Sequence, residues 1–242
     1  MLKRLSYLAE ANNFDKIFLK CSKNDFQEFL AHGYMMEGVL KYYFSGDDAY
    51  ILSRFASMER IRSEHLLNES KLIENLIFKE NQTEIKPLPN GIEIIKTGKE
   101  HIPELITIYR SVFETYPSPL TSPDYIKATM NRGVIYRIAR ENEIAIAAAS
   151  ADIDLKHSNA EMTDCATTPA SQGKGVMQHL LLSLENELRE KNIKTAYTLA
   201  RAMSSGMNRV FYKLNYEYCG RLINNCDIFG SFEDLNMWSK LL

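Results

Sequence analysis

The sequence lacks any segment that would hold it in a membrane and any excess of positive charge. No stretch approaches the roughly 18 consecutive apolar residues of a membrane-spanning helix, and Met1–Arg4 does not lead into the apolar core of a signal peptide. Its 29 Lys and Arg residues are balanced by 31 Asp and Glu residues, which gives no support for a nucleic-acid or acidic-membrane partner. We therefore expect a cytoplasmic protein that binds neither membranes nor nucleic acid.

Cysteine is scarce and shows no metal-binding pattern. The four cysteines, Cys21, Cys165, Cys219 and Cys226, have neither CxxC spacing nor the spacing of a metal site. They are typical of buried thiols in a reducing compartment, and no metal cofactor is expected. Cys165 has no histidine close in sequence, so it is a poor candidate for an acyl-transfer nucleophile.

Proline and glycine concentrate in one polar stretch, ENQTEIKPLPNG (80–91), which predicts a domain boundary. The chain of 242 residues is longer than a typical domain of about 100–150 residues. Its 45% apolar and 25% charged residues are ordinary for a globular protein. We predict an N-terminal α/β extension over residues 1–85 and a main domain over 91–242.

The patterns along the chain predict alternating helices and strands in both parts. The extension is expected to have a ragged start (1–13), a strand (14–20), a helix capped by Ser22 and ended by Gly33, strands 34–44 and 48–56, and one long amphipathic helix (58–79). The main domain is expected to have strand 92–96, helices 99–114 and 123–131, strands 133–140 and 143–153, a central strand and helix, strand 193–200, helix 205–214, and strands 216–223 and 226–240.

The central segment, residues 161–191, has the pattern of an anion site. A run of β-branched residues favours a strand, Pro169 ends its pairing, and Gln172-Gly173-Lys174-Gly175 precedes a helix with an apolar stripe from Val176 to Leu188. Glycines let the backbone approach a ligand, and a helix N-terminus offers free N–H groups to negative charge. The glycine spacing fits neither a P-loop nor a GxGxxG dinucleotide site. We expect a phosphate-bearing ligand held by the backbone of 172–177.

In this context ATTPASQGKGVMQHLLLSLENELREKNIKTAYTLA resembles the acetyl-CoA motif of the GNAT N-acetyltransferases, [Q/R]-x-x-G-x-[G/A], with Ala170 at its first position. The resemblance covers 91–242. It implies an α/β (α+β) GNAT fold, with a central mixed, mostly antiparallel sheet flanked by helices, and acetyl-CoA as co-substrate. The implied acetyl-CoA contacts are Ala166, Thr167, Thr168, Gln172, Gly173, Lys174, Gly175, Val176 and Met177.

Acetyl transfer to an amine needs a base, because an alkylammonium group of pKa about 10.4 loses its proton at a cost of about 4.6 kcal/mol near pH 7. A nearby carboxylate is the usual base. In the family the base often lies at the start of the central strand, which makes Glu161 the first choice and Asp164 the second. Because they are three residues apart on a strand, we expect them to point to opposite faces.

The run MNRVFYKLNY resembles the family motif that supplies a general acid to the leaving thiolate. The resemblance implies Tyr212 as the acid and Asn208 as a contact to the pantetheine or phosphate arm. The turn after Tyr212 is one residue shorter than usual, so Phe211 facing the thiol stays open as an alternative.

The C-terminal run AYTLARAMSSGMNRVFYKLNYEYCGRLINNCDIFGSFEDLNMWSK is similar to the beta-lysine N-acetyltransferases, and that resemblance extends over nearly the whole chain. It implies a small-molecule amine acceptor and the product N-ε-acetyl-β-lysine, a compatible solute. Arg201 and Arg221 suit the carboxylate of such a substrate. Its second amine could be held by Asp164, Asp227, Glu233 or Asp234. Asn224 and Asn225 are expected at the rim of the pocket. An acetyltransferase for another small amine or protein lysine and a non-catalytic acyl-CoA-binding module stay open, as does a homodimer.

The extension also contains an echo of the C-terminal half. FLAHGYMMEG (29–38) aligns with FYKLNYEYCG (211–220), so that Gly38 matches Gly220. One hypothesis makes residues 14–56 a degenerate copy of the second half of the GNAT fold. The alternative is a chance similarity of two short strand–helix–strand units.

Overall fold

The computed structural model describes residues 2–79, 85–228 and 230–242. Its helices are α1 (Leu2–Ala11), α2 (Phe26–Ala31), α3 (Met58–Ile61), α4 (Leu66–Glu74, followed by a π-turn at Asn75–Lys79), α5 (Ile102–Val112), α6 (Pro123–Asn131), α7 (Val176–Glu190) and α8 (Ser205–Lys213). Its strands are β1 (Lys16–Cys21), β2 (Met35–Phe44), β3 (Asp47–Phe55), β4 (Ile92–Lys96), β5 (Ile135–Glu141), β6 (Ile144–Asp154), β7 (Asn159–Thr167), β8 (Thr195–Arg201), β9 (Glu217–Ile228) and β10 (Ser231–Leu241).

All ten strands belong to one sheet, in the order β1-β3-β2-β9-β10-β8-β7-β6-β5-β4. Every neighbouring pair is antiparallel except β7 and β8. The expected mixed, mostly antiparallel sheet flanked by helices is therefore confirmed. In the part of the chain that the structure describes, no helix is both long and apolar enough to cross a bilayer.

The small residues of β6 let helices pack closely on both faces. Ala147, Ala149 and Ala151 belong to the core built with α7, whereas Ala148 belongs to the core built with α5 and α6. Successive strand residues point to opposite faces, so α7 lies on one side of the sheet and α5 and α6 on the other. The predicted apolar stripe of α7, from Val176 to Leu188, is buried.

Three expectations about the extension are wrong. Ser22 does not cap α2, whose N-cap residue is Asp25. Residues 2–11 form α1, whose Leu2 and Leu5 pack against a buried cluster around Phe29, instead of a ragged start. The long helix predicted over 58–79 is broken between α3 and α4. The break has a physical reason, because it leaves the main-chain carbonyls of Arg60 and Arg62 free to accept hydrogen bonds from Asn224 (3.1 Å each).

The predicted domain boundary lies partly outside the described residues, and the division into two parts stays a prediction. The extension and the main domain share the sheet, and they meet where Gly38 of β2 pairs with Gly220 of β9. A Cβ atom on either glycine would collide with main-chain atoms of the other strand. The two strands cross there at a distance that only glycine permits.

The strands on the two sides of this crossing repeat each other. The order β1-β3-β2 mirrors β8-β10-β9, and the registers agree across all three strands. The matching cross-strand rows are Gly38–Ile51–Lys20 with Gly220–Met237–Leu199, and Met35–Ser53–Phe18 with Glu217–Ser239–Tyr197. This is the arrangement expected if the extension copies the C-terminal half, and a common origin of the two stays a hypothesis.

The sheet curls so that its pseudo-symmetric edges approach each other. Four strands separate β1 from β8, a distance of about 24 Å in a flat sheet. Nevertheless, Lys20 Nζ lies 3.2 Å from the Tyr197 hydroxyl. The extension therefore covers one end of the main domain instead of projecting from it.

Candidate active site

The two parallel strands at the centre of the sheet separate soon after they begin. β7 and β8 pair only from Asn159–Glu161 with Thr195–Tyr197. One residue further on, Thr198 Oγ1 still donates to the Met162 carbonyl (2.7 Å). Beyond that point neither strand pairs with the other within the described ranges, so their C-terminal halves enclose a V-shaped cleft. A backbone edge that faces a cleft can hydrogen-bond an extended ligand.

A β-bulge in β7 changes the direction of the Asp164 carboxylate near this cleft. Ala148 pairs with Ala166 and Ser150 with Thr163, so two residues of β7 face one of β6, and Asp164 takes a left-handed φ of 51°. Bulges interrupt the alternation of side chains. Ser150 Oγ donates to Asp164 Oδ2 (2.7 Å).

This bulge corrects the expectation that Glu161 and Asp164 point to opposite faces. Glu161 pairs with Asp152, which is two residues from Ser150 on β6 and therefore on the same face. Asp164 reaches Ser150 on that face as well. The structure thus gathers three carboxylates, Asp152, Glu161 and Asp164, on one side of the sheet.

Glu161 sits in a cluster that joins the two parts of the chain. The Tyr197 hydroxyl donates to Glu161 Oε2 (3.0 Å), and Lys20 Nζ donates to the hydroxyls of Tyr43 (3.1 Å) and Tyr197 (3.2 Å). Burial raises the pKa of Glu161, and the positive charge of Lys20 partly offsets this rise. A carboxylate with a raised pKa is a better proton acceptor than an exposed one.

Asp164 is more enclosed than Glu161. It is buried, and burial raises its pKa, while hydrogen bonds from Ser150 and Tyr116 act in the opposite direction. Tyr116 comes from the loop between α5 and α6. Glu161 is only half-buried, so it is the carboxylate that an incoming amine reaches more easily. This agrees with Glu161 as first choice and Asp164 as second, and the assignment stays a prediction.

The N-terminus of α7 has the features of an anion site. Gly173 and Gly175 take left-handed φ values of 78° and 77°, and a Cβ atom on either would meet nothing. No side chain caps the helix, and its first turn has no acidic residue. The first N–H groups of a helix have no partner within it, so those of Val176 and Met177 suit a diphosphate.

The other predicted contacts lie around this helix end. Gln172 is exposed, whereas Val176 and Met177 are buried, so only their main-chain N–H groups can serve a ligand. Lys174 Nζ pairs with Glu141 on β5 (2.8 Å), which partly neutralises it. Ala166 and Thr167 lie on β7 beyond the bulge, and the next residue, Thr168, is bonded through its N–H to the Ile146 carbonyl (2.9 Å).

The structure corrects the expectation for Asn208. Its Nδ2 donates to the carbonyls of Ser204 (2.8 Å) and Arg201 (3.0 Å). Its Oδ1 accepts from Trp238 (2.9 Å) and Asn236 (3.0 Å). The side chain is buried, so it ties α8 to β8 and β10 and has no group left for a pantetheine arm.

The same helix decides between the two aromatic candidates for the thiolate acid. Phe211 is buried and packs edge-on against Tyr216, with ring centroids 5.1 Å apart. Tyr212 is half-buried and borders the core around α7. The alternative in which Phe211 faces the thiol is therefore not supported, and Tyr212 stays the predicted acid.

The predicted substrate residues Arg221 and Asn224 lie near the joint between the β9–β10 hairpin and α3–α4. Arg221 is buried beside Glu69 (3.4 Å) and donates to Asn236 (2.9 Å), so it acts as an internal cation instead of a carboxylate ligand. Asn224 donates through Nδ2 to the Arg60 carbonyl (3.1 Å) and through its main-chain N–H to Asp234 Oδ1 (2.7 Å), which corrects its expected role at a pocket rim.

Arg201 lies at the C-terminal end of β8, beside the cleft, and Asn225 lies on β9. Arg201 forms an ion pair with Glu233 (2.6 Å). Asn225 is half-buried and contacts the Cys226 thiol (3.8 Å).

Comparison with known proteins decides the family. The model of the acetyltransferase (GNAT) family matches residues 102–216. The chain is 34% identical to a beta-lysine N(6)-acetyltransferase of Methanosarcina mazei, over 98% of this chain and 95% of that protein. A second protein of the same name, from Methanococcus maripaludis, is also 34% identical, over 100% of this chain and 88% of the relative.

The chain belongs to the GNAT acetyltransferase family. It is an acetyl-CoA-dependent N-acetyltransferase. Solved structures share the fold over part of the chain: the structure of yncA of Salmonella typhimurium with its cofactor acetyl-CoA has a TM-score of 0.54 at 20% identity, over 62% of this chain and 93% of that one. The ribosomal-protein-alanine N-acetyltransferase of Brucella melitensis has a TM-score of 0.55 at 19% identity, over 62% and 99%.

In this GNAT chain the open glycine turn and the cleft fit the two parts of acetyl-CoA. The uncapped N-terminus of α7 suits the diphosphate, and the unpaired edge of β7 suits the amide-bearing arm. When bound, acetyl-CoA supplies the activated thioester. Sequence reasoning missed Lys20, Tyr43, Tyr116, Asp152 and Tyr197, because only the bulge, the sheet curvature and the α5–α6 loop bring them to Glu161 and Asp164.

Proposed function

We propose that this protein transfers the acetyl group of acetyl-CoA to the side-chain (ε) amine of β-lysine. The observation that carries the proposal is the 34% identity with the two beta-lysine N(6)-acetyltransferases, which extends over nearly the whole chain, including the extension. The solved GNAT structures above cover only 62% of this chain. The extension delivers Lys20 to Glu161, so the part of the chain that distinguishes these relatives is also the part that shapes the acceptor side of the site.

The mechanism is direct attack of the neutral amine on the thioester. Glu161, with Asp164 as second candidate, accepts the proton that the substrate ammonium must lose. The C–N bond forms as the C–S bond breaks, and Tyr212 returns a proton to the departing thiolate. The products are N-ε-acetyl-β-lysine and CoA.

The chemistry of the product supports a role as a compatible solute. β-Lysine carries two ammonium groups and one carboxylate, so its net charge near pH 7 is about +1. Acetylation removes one cation and leaves a molecule of zero net charge, which can accumulate without a counter-ion. We place the reaction in the cytoplasm, consistent with four cysteines that form no disulfide.

A second function, acetylation of another small amine, is favoured by one relative. The protein named N-acetyltransferase YodP from Bacillus subtilis is 34% identical over 97% of this chain and 85% of its own length, and its name specifies no substrate. A protein lysine as acceptor is less compatible with a site that the extension covers from one side. A non-catalytic acyl-CoA module would have no use for Glu161 beside the cleft.

The experiment is a competition among acceptors. The purified chain is given acetyl-CoA with β-lysine, lysine, spermidine or a lysine peptide, and released thiol is measured as a function of acceptor concentration. We expect the highest kcat/KM for β-lysine, with fragmentation mass spectrometry placing the acetyl group on the ε-nitrogen. A higher kcat/KM for any other acceptor would reject β-lysine as the substrate.

A further inference from the structure

A cavity of about 380 Å³ lies where the extension meets the β9–β10 hairpin. Its walls come from the broken helix segment α3–α4 on one side and from the strands β9 and β10 on the other. Six carboxylates, two guanidinium groups and one imidazole line it. The lining includes Arg60, Glu69, Phe232, Glu233 and Asp234.

Arg60 places a buried cation with unused donors at this cavity. The residue is only 7% exposed, and its Nε has no hydrogen-bond partner among the described residues. Its Nη1 lies 3.5 Å from Asp15, and its guanidinium stands 3.2 Å from the centre of the Phe232 ring. A buried guanidinium with unsatisfied N–H groups is costly unless an anion meets it.

Glu69 and Asp234 form the negatively charged side of the cavity. They are 2% and 3% exposed, and each has one carboxylate oxygen without a donor in the described part of the chain. Burial and the nearby Asp234 raise the pKa of Glu69 to about 8. Two neighbouring carboxylates in a buried site need a proton or a cation. Arg221 Nη1 lies 3.4 Å from Glu69 Oε2 without a hydrogen bond to it, so an ammonium group would still supply the donors that both carboxylates lack.

The cavity is within reach of the cleft. Glu233 borders the cavity and pairs with Arg201 on β8 (2.6 Å), and Arg201 shares a strand face with Tyr197. Cys226 of β9 pairs with Glu233 across the hairpin. Burial raises the pKa of its thiol, and the charges of Glu161 and Arg60 act on that pKa in opposite directions, so both groups stand near Cys226.

We propose that this cavity binds the zwitterionic head group of the acceptor: Arg60 binds its carboxylate, and the Glu69–Asp234 pair binds the amine that is not acetylated. The inference rests on the proposed function, because it assigns the specificity end of that substrate. It also explains the break between α3 and α4, which opens the cavity and points Arg60 into it.

The test compares two variants with matched surface controls. Arg60→Gln removes the proposed carboxylate ligand, and Glu69→Gln removes the ionisable group of one proposed ammonium ligand. Arg132→Gln and Glu190→Gln make the same changes at exposed positions, directly after α6 and at the end of α7. Each variant is checked for an unchanged melting temperature. The KM for β-lysine, the KM for acetyl-CoA and the turnover of pentylamine, which has no head group, are then measured.

Both cavity variants are expected to raise the KM for β-lysine at least about tenfold, the usual effect of losing a hydrogen bond to a charged group. The KM for acetyl-CoA and the turnover of pentylamine are expected to stay the same. Acetylation of β-lysine with an unchanged KM in both variants would overturn the inference while the proposed function stands.

Calorimetry without acetyl-CoA separates the two proposals. β-Lysine titrated into the unmodified protein is expected to bind, and Arg60→Gln is expected to weaken binding at least about tenfold. Failure of acetyl transfer to β-lysine together with Arg60-dependent binding would reject the proposed function and the acceptor role of the cavity, which would then serve a separate effector. Absence of binding in the unmodified protein would overturn the inference.

Discussion

Glu161 combines the two properties that a general base needs at neutral pH. It is half-buried, which raises its pKa, and it accepts a hydrogen bond from Tyr197, which fixes its orientation. Burial also raises the pKa of Tyr197, so the phenol stays protonated and donates. Asp164, held by Ser150 and Tyr116, is better placed to shape the site than to exchange a proton with an incoming amine.

Glu161→Gln tests this division of roles. The amide cannot accept the proton, so we expect kcat/KM to fall by about 10²–10⁴ with the KM for acetyl-CoA unchanged. In the unmodified enzyme, activity should fall as the pH drops through the raised pKa of Glu161, because the protonated acid is no base. Steady-state rates at several pH values measure both effects.

The control for this variant is its neighbour. Asp164→Asn is expected to lose less activity and to keep the acid limb of the pH profile. The reverse result, with Asp164→Asn nearly inactive and Glu161→Gln active, would make Asp164 the base.

Lys20 provides a second prediction at the scale of the residue. Its positive charge stabilises ionised Glu161, so Lys20→Met should raise the pKa of Glu161 further. The acid limb of the pH profile of kcat/KM is then expected to move to higher pH. At pH values above that limb, kcat/KM is expected to change little. Lys23→Met, an exposed lysine of the same unit, is the matched control. An identical pH profile for both variants would show that Lys20 does not act on Glu161.

The elements show where sequence patterns are sufficient and where they are not. The apolar stripe of α7 and the glycines before it are local signals, and they predict both the helix and the anion site. The faces of Glu161 and Asp164 were predicted wrongly because a bulge depends on how two strands pair. The break between α3 and α4 escaped prediction because its reason, the hydrogen bonds from Asn224, lies more than 160 positions away along the chain.

Gly175→Ala tests the helix end. Alanine in a left-handed conformation costs about 1–2 kcal/mol, and its methyl group would stand where the diphosphate approaches the N–H groups. We expect a lower melting temperature and a higher Kd for CoA, measured by calorimetry. Gly133→Ala is the matched control, since Gly133 has a φ of 102° and open space around its Cα. It should lose comparable stability and keep its CoA affinity. Equal CoA affinity in both variants would contradict the assigned site.

The whole molecule depends on both units, because they share one core. Leu40 and Ile51 of the extension pack in the same buried cluster as Leu222 and Met237 of the main domain. Lys16 and Glu37 form a buried ion pair (3.0 Å) that also bonds the carbonyl and the N–H of Ile223 on β9. The edge of β9 is thus occupied from within the chain, which leaves other surfaces for a homodimer.

Gly38→Ala tests whether this joint controls the site. The added methyl would meet the Cys219 carbonyl and the Gly220 Cα. Both are main-chain atoms, which cannot move away by a side-chain rotation. The units must then move apart, at a cost of about 1–3 kcal/mol, which lowers the melting temperature by about 2–4 °C per kcal/mol in a chain of this size. The same separation would move Lys20 away from Tyr197 and Glu161. The acid limb of the pH profile of kcat/KM should therefore move in the same direction as in Lys20→Met. Gly206→Ala, a helical position where an added methyl meets nothing, should raise the melting temperature slightly, because alanine favours the helix, and should leave the pH profile unchanged. A destabilised Gly38→Ala enzyme with an unaltered pH profile would show that the extension supports the fold without shaping the acceptor side of the site.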